Sequence, residues 1–137
     1  MSDARNTANV EPVPTPSAPR AAGPYSPAVR AGDWLVLAGQ VGLDPATGAL
    51  VPGGVEAEAR QALANIGAVL ADCGTDWGHV AKVGIFLTDL GRFGAVNVLY
   101  EEAVGGHQPA RTTVGVAALP AGASIEIECW VHHPRET

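Results

Sequence analysis

At 137 residues the chain has room for one domain with a real hydrophobic core and too little for two. Eight Lys and Arg stand against fourteen Asp and Glu, a formal net charge of −6, which leaves no general basic field of the kind that grips nucleic acid through its phosphates. With 47% hydrophobic and only 16% charged residues, a lone small domain would expose an unusually apolar surface, so self-association is expected.

The chain opens on "MSDARNTANVEPVPTPSAPR", in which Pro12, Pro14, Pro16 and Pro19 accompany almost nothing apolar. This composition predicts a mobile, dispensable tail over residues 1–20, followed by a domain over 21–137. A short strand is predicted near Ala28 to Ala31, a turn at Gly32-Asp33, and a buried strand over Trp34 to Ala38 that Gly39-Gln40 interrupts. "LDPATGAL" reads as a turn, with Pro45 suited to its first central position and Gly48 to a positive φ. Residues 55–73 place Val55, Ala59, Leu63, Ile66, Leu70 and Cys73 on one helical face, and Gly74 supplies a left-handed cap.

"HVAKVGIFLTDL" predicts a mostly apolar strand. Asp89 then caps a second helix with Phe93, Val96, Tyr100 and Val104 on one side, and Gly105-Gly106 stops it. Two closing strands, about 111–117 and 123–132, complete the order β-β-α-β-α-β-β. The expected fold is α+β, a single mixed sheet with two helices on one face. Such a sheet has a second, uncovered face, to which the alternation of the last strand assigns Glu126, Glu128, Trp130 and His132. If neighbouring subunits cover that face, its polar groups line clefts between them, and Arg111 and Glu126, charges that serve no apolar core, share a partly dry site.

Cys73 and Cys129 lack any CxxC or zinc-like spacing and read as reduced core thiols. His132 and His133, adjacent in a strand, point to opposite faces and make a poor metal clamp. No ligand cluster or phosphate-cradling glycine loop is evident, so no metal and no cofactor are expected. No apolar run approaches the roughly 18 residues of a membrane helix, and the expected location is cytoplasmic.

At "GPYSPAV", "AGQVGLDPATG", "FGAVNVLYEEAV" and above all "PARTTVGVAALPAGASIEIE", the chain resembles the Rid family of reactive-intermediate deaminases, the YjgF-like proteins. The likeness covers nearly everything after about residue 20. It implies a chorismate-mutase-like fold, a homotrimer with small-molecule clefts between subunits, and hydrolytic deamination of 2-imino and enamine acids, such as 2-aminoacrylate and 2-iminobutanoate, to 2-oxo acids and ammonia. It also implies site residues. Arg111 matches the carboxylate-binding arginine and Glu126 its acidic partner, while Tyr25, Gly39 and Asn97 fall on positions that line the cleft. Arg111, Glu126 and Tyr25 are the catalytic candidates, and Arg111, Gly39, Asn97 and Tyr25 the substrate-binding ones.

The chemistry suits these roles. A guanidinium fork holds a planar carboxylate by two parallel hydrogen bonds, and a carboxylate such as Glu126 orders the attacking water. A tight hairpin centred on residues 120 and 121 would leave Glu126 roughly 13 Å along the strand from the partner of Arg111. The two strands are therefore separated in the sheet, or the site combines two subunits. Ala38, Gln108 and Thr113 depart from the family's frequent serine, aromatic and cysteine, which leaves open a pathway-specific enzyme acting on another imine. Two further alternatives are an endoribonuclease or translation inhibitor, disfavoured by the acidic balance, and a small-carboxylate binder without turnover.

Overall fold

The computed structural model describes residues 9–135. Six strands form one sheet: β1 (Val10–Pro12), β2 (Ala28–Ala31), β3 (Trp34–Gln40), β4 (Val80–Leu87), β5 (Ala110–Gly115) and β6 (Ile125–His132). Their spatial order is β1-β2-β3-β6-β4-β5, with every pair antiparallel except β4 and β5. The helices α1 (Gly54–Asp72) and α2 (Phe93–Val104) pack against each other. The expected α+β sheet with two helices is therefore the observed architecture.

Its hydrophobic core contains Leu35, Leu37, Val83, Ile85, Ile125, Ile127 and Cys129 from the strands, together with Ala59, Ile66, Leu70, Val96 and Tyr100 from the helices. The 3.6-residue periodicity of α1 is realised at Ala59, Leu63, Ile66 and Leu70, all buried, and Gly74 takes the expected left-handed φ of 78° after the helix ends. Along β6, Ile125, Ile127, Cys129 and Val131 are buried while Glu126, Glu128 and Trp130 are half-covered, the alternation expected of a strand with one face on the core. Asp89 accepts a hydrogen bond from the Gly91 N–H (2.9 Å), but it caps a short 3₁₀ turn that leads into α2 rather than α2 itself.

Residues 10–20 correct the expectation of a mobile tail over 1–20; residues 1–8 lie outside the described part. β1 pairs with β2, Ala18 is buried in the core, and the backbone N–H and hydroxyl of Ser17 both donate to the Asp72 carboxylate at 2.9 Å. An edge strand gains its bonds from the backbone and needs no apolar face of its own, and Pro12 is tolerated there because a strand edge leaves N–H groups unpaired. The element order thus gains one strand at its start.

The closing strands are not a hairpin. β4 lies between β6 and β5, so β5 is an edge strand reached by the crossover through α2. This position decides the geometry of the site.

Candidate active site

Laterally paired residues share a face of a sheet and successive residues alternate. Arg111 is level with Val83, which is level with Cys129 on the helix-covered face; Glu126 is level with Phe86. Positions 83 and 86 differ by an odd number, so Arg111 and Glu126 project from opposite faces. They are also roughly 10 Å apart along the strands and roughly 10 Å across them. One subunit does not bring them together, and five sequence-predicted residues divide between two cavities.

The first cavity, of about 500 Å³, lies between α2 and the start of β5. Arg111 and Asn97 line it, with Tyr100, Glu101, His107 and Gln108. The Arg111 guanidinium carbon sits 5.2 Å from the ring centroid of Phe93 and 4.8 Å from that of Tyr100. Among the described residues, Arg111 makes no ion pair and no side-chain hydrogen bond. Two aromatic faces therefore meet its charge, while its N–H donors, which lie in the guanidinium plane, stay open to a ligand. His107 fixes the loop before β5 through a 2.8 Å contact between its Nε2 and the Val80 carbonyl. Two hydroxyls nearby on the chain, those of Tyr100 and Thr113, are buried without a hydrogen-bond partner among the described residues.

The second cavity, of about 140 Å³, opens at the bare face and collects Tyr25, Gly39, Glu126, Arg20 and the Pro120–Ala121 turn. A β-carbon on Gly39 would come within 2.7 Å of the Glu126 carboxyl carbon, so a larger residue there would displace the Glu126 side chain. Burial, and after it the charge of Glu128, hold the Glu126 carboxyl above its ordinary range. The Tyr25 hydroxyl oxygen accepts the Ala22 N–H at 3.2 Å, which leaves its own proton available to donate. Glu128 shares the face but lies against Gly84, where an added β-carbon would stand 3.0 Å from its Oε2.

Polar residues of α1 that periodicity passes over hold the surrounding loops. Glu58, buried, accepts the Ser124 N–H at 2.6 Å and thereby ties down the turn beside Glu126. Asn65 donates to the Val41 and Leu43 carbonyls at 3.2 and 2.9 Å. The available signal was position, since Glu58, Ala62, Asn65 and Val69 form one i, i+4, i+7, i+11 stripe of the helix. Phe93 and Tyr100 were legible as a helical face but not as partners of Arg111. The thiols are poor nucleophiles: burial pushes Cys129 up to about 12, and burial followed by Asp72 raises Cys73.

The chain is thus a two-helix α+β domain with an aromatic-held arginine in one cavity and a half-buried glutamate in another. The chain belongs to the Endoribonuclease L-PSP family, whose model matches residues 15–133. It is 48% identical over 116 residues to the 2-iminobutanoate/2-iminopropanoate deaminase of Mus musculus, covering 85% of this chain and 86% of that one. The chloroplastic Reactive Intermediate Deaminase A of Arabidopsis thaliana is 43% identical over 129 residues, covering 94% of this chain and 69% of the relative. Among solved structures, the YjgF gene product of E. coli superposes with a TM-score of 0.82 at 36% identity, covering 89% of this chain and 98% of the other. The resemblance read from the motifs is borne out.

Proposed function

We infer that this protein hydrolyses reactive 2-imino and enamine acids to 2-oxo acids and ammonia, acting as a homotrimer in which the Arg111 cavity of one subunit faces the Glu126 cavity of the next. The observation that carries the reading is the Arg111 guanidinium, held by two rings with its hydrogen-bond donors uncommitted beside Asn97. The names of the mouse and Arabidopsis relatives support the reaction class. The trimer is supported by the bare sheet face, where Trp34, Val114 and Val10 are 41%, 39% and 57% exposed, an apolar surface that a second copy would cover.

In this reading Arg111 holds the substrate carboxylate by a two-pronged contact that also fixes the plane of the neighbouring imine carbon. An enamine first takes a proton at its terminal carbon and gives one up from nitrogen, both exchanged with solvent, to become the imine. Water then adds to the C=N carbon, its oxygen forming the new bond, one of its protons passing to Glu126 and then to nitrogen to give a carbinolamine. Glu126 next carries the hydroxyl proton to the same nitrogen as the C–N bond breaks and the C=O bond forms, and ammonia leaves a 2-oxo acid. A carboxyl held above its ordinary range is suited to both taking and returning that proton. Tyr25 donates to the developing hydroxyl, and Gly39 leaves room for the Glu126 side chain.

None of the described helices is long and apolar enough to cross a membrane. The proposed compartment is the cytoplasm, where two unbridged cysteines stay reduced; the Arabidopsis relative is named chloroplastic. The deciding experiment generates 2-iminobutanoate from threonine with a dehydratase, traps the imine, and measures its lifetime. A shortened lifetime with ammonia release supports hydrolysis. Saturable binding of 2-oxo acids without acceleration makes the protein a binder, and cleavage of RNA with neither effect makes it a nuclease of the kind the family description names.

A further inference from the structure

We propose that Phe93 and Tyr100 are positioning residues that act on the ligand through Arg111, clamping its guanidinium so that the fork is set before a carboxylate arrives. The proposal rests on Arg111 as the carboxylate ligand. Phe93 and Tyr100 are seven residues apart on α2, two helical turns or roughly 10 Å of rise. The guanidinium carbon is nearly equidistant from the two, over the Phe93 ring at 5.2 Å and over the Tyr100 ring at 4.8 Å from the centroids. The ring quadrupole attracts the cation through its face, whereas hydrogen bonds leave a guanidinium in its plane, so two rings stabilise the charge without using the donors. A carboxylate partner in their place would occupy those donors and compete with substrate.

The two rings divide the work. Tyr100 is buried in the core and gives a fixed wall, while Phe93, at the first position of α2, is 38% exposed and closes the other side. Arg111 itself stands on an edge strand, where neighbouring backbone restrains it least. Without the second ring the side chain keeps its charge and loses its orientation.

Titration with 2-oxobutanoate, the carboxylate product, tests this without requiring turnover. Phe93→Met keeps an apolar side chain of similar reach and should weaken binding about 3- to 10-fold, the scale of one lost cation–π contact. KM for the imine should rise by the same factor, with kcat and melting temperature almost unchanged. Phe93→Tyr should restore binding, and Tyr100→Phe, which retains the ring, should leave it intact. In an Arg111→Ala background Phe93→Met should have no further effect, because the clamp acts only through the arginine. Unchanged binding in Phe93→Met, or an equal loss in the arginine-free background, overturns the proposal. Failure of the intact protein to bind 2-oxobutanoate removes Arg111 as its ligand and the clamp with it. The predicted binding pattern without imine hydrolysis leaves the clamp standing and fails only the deaminase reading.

Discussion

Arg111 and Glu126 project from opposite faces of one sheet, with β4 between their strands and three positions separating their rungs, Val83 and Phe86. A site that uses both must therefore draw them from different subunits. Arg111→Ala and Glu126→Gln should each be inactive alone and regain activity when the two variants are refolded together, because some interfaces then receive an intact arginine from one subunit and an intact glutamate from its neighbour. Random mixing predicts about a quarter of the unmodified activity in a cyclic trimer. No recovery, with mixed oligomers verified by mass, rejects the shared site.

Arg111→Lys keeps the charge and replaces a planar fork with a mobile point charge. Catalytic efficiency on 2-iminobutanoate should fall on the order of 10- to 100-fold, about 1.5 to 3 kcal/mol of oriented, charge-assisted binding. Arg111→Ala should lose more, with melting curves unchanged in both. Undiminished hydrolysis by a folded alanine variant would take Arg111 out of the mechanism.

Burial and then Glu128 raise the Glu126 carboxyl above its ordinary pKa. The folded chain thus binds this proton more tightly than the unfolded chain; the stability it contributes is full below the ordinary carboxylate pKa and is lost as pH rises through the raised one. Hydrolysis that needs the Glu126 carboxylate runs the other way and should fall on the acid side at the raised value. Glu128→Gln removes one cause of the shift and should move that acid limb to lower pH. Glu126→Gln should lower kcat about 100-fold or more, the scale of a positioned acid–base group, and abolish the limb. A pH profile unmoved by Glu128→Gln would mean that another group sets it.

Cys129, pushed up to about 12 chiefly by burial, should resist thiol reagents at pH 8 in the native protein and react at once in denaturant. Its contribution to stability is present below the ordinary thiol pKa of 9.0 and is lost as pH rises toward 12. Rapid labelling of the folded protein at Cys129, located by peptide mass, would contradict the buried placement.

Deleting residues 1–20 should lower the melting temperature by at least roughly 4 °C, the shift expected for about 1 kcal/mol in a domain of this size. The deletion removes β1, the buried Ala18 and both bonds to Asp72. Ser17→Ala, which loses only the hydroxyl bond, should cost about 0.5 to 1 kcal/mol. An unchanged melting temperature in the deletion would restore the reading of these residues as a dispensable tail.

Local chemistry made most of the architecture legible in the sequence. Spacings of three and four residues marked the buried face of α1, alternation assigned Ile125, Ile127, Cys129 and Val131 to the core, and glycines at 74, 105 and 106 marked helix ends that do adopt positive φ. For Arg111 and Glu126 the family resemblance of their motif, not their spacing, implied a part in the site. Composition misled over residues 10–20, since edge pairing draws on backbone groups that every residue carries. What only the tertiary structure decided was non-local: β4 inserts between β6 and β5, and this register turns Arg111 toward Phe93 and Tyr100 while Glu126 turns away toward Gly39. Which strand lies beside which depends on contacts between residues far apart in the chain, and no local periodicity encodes them.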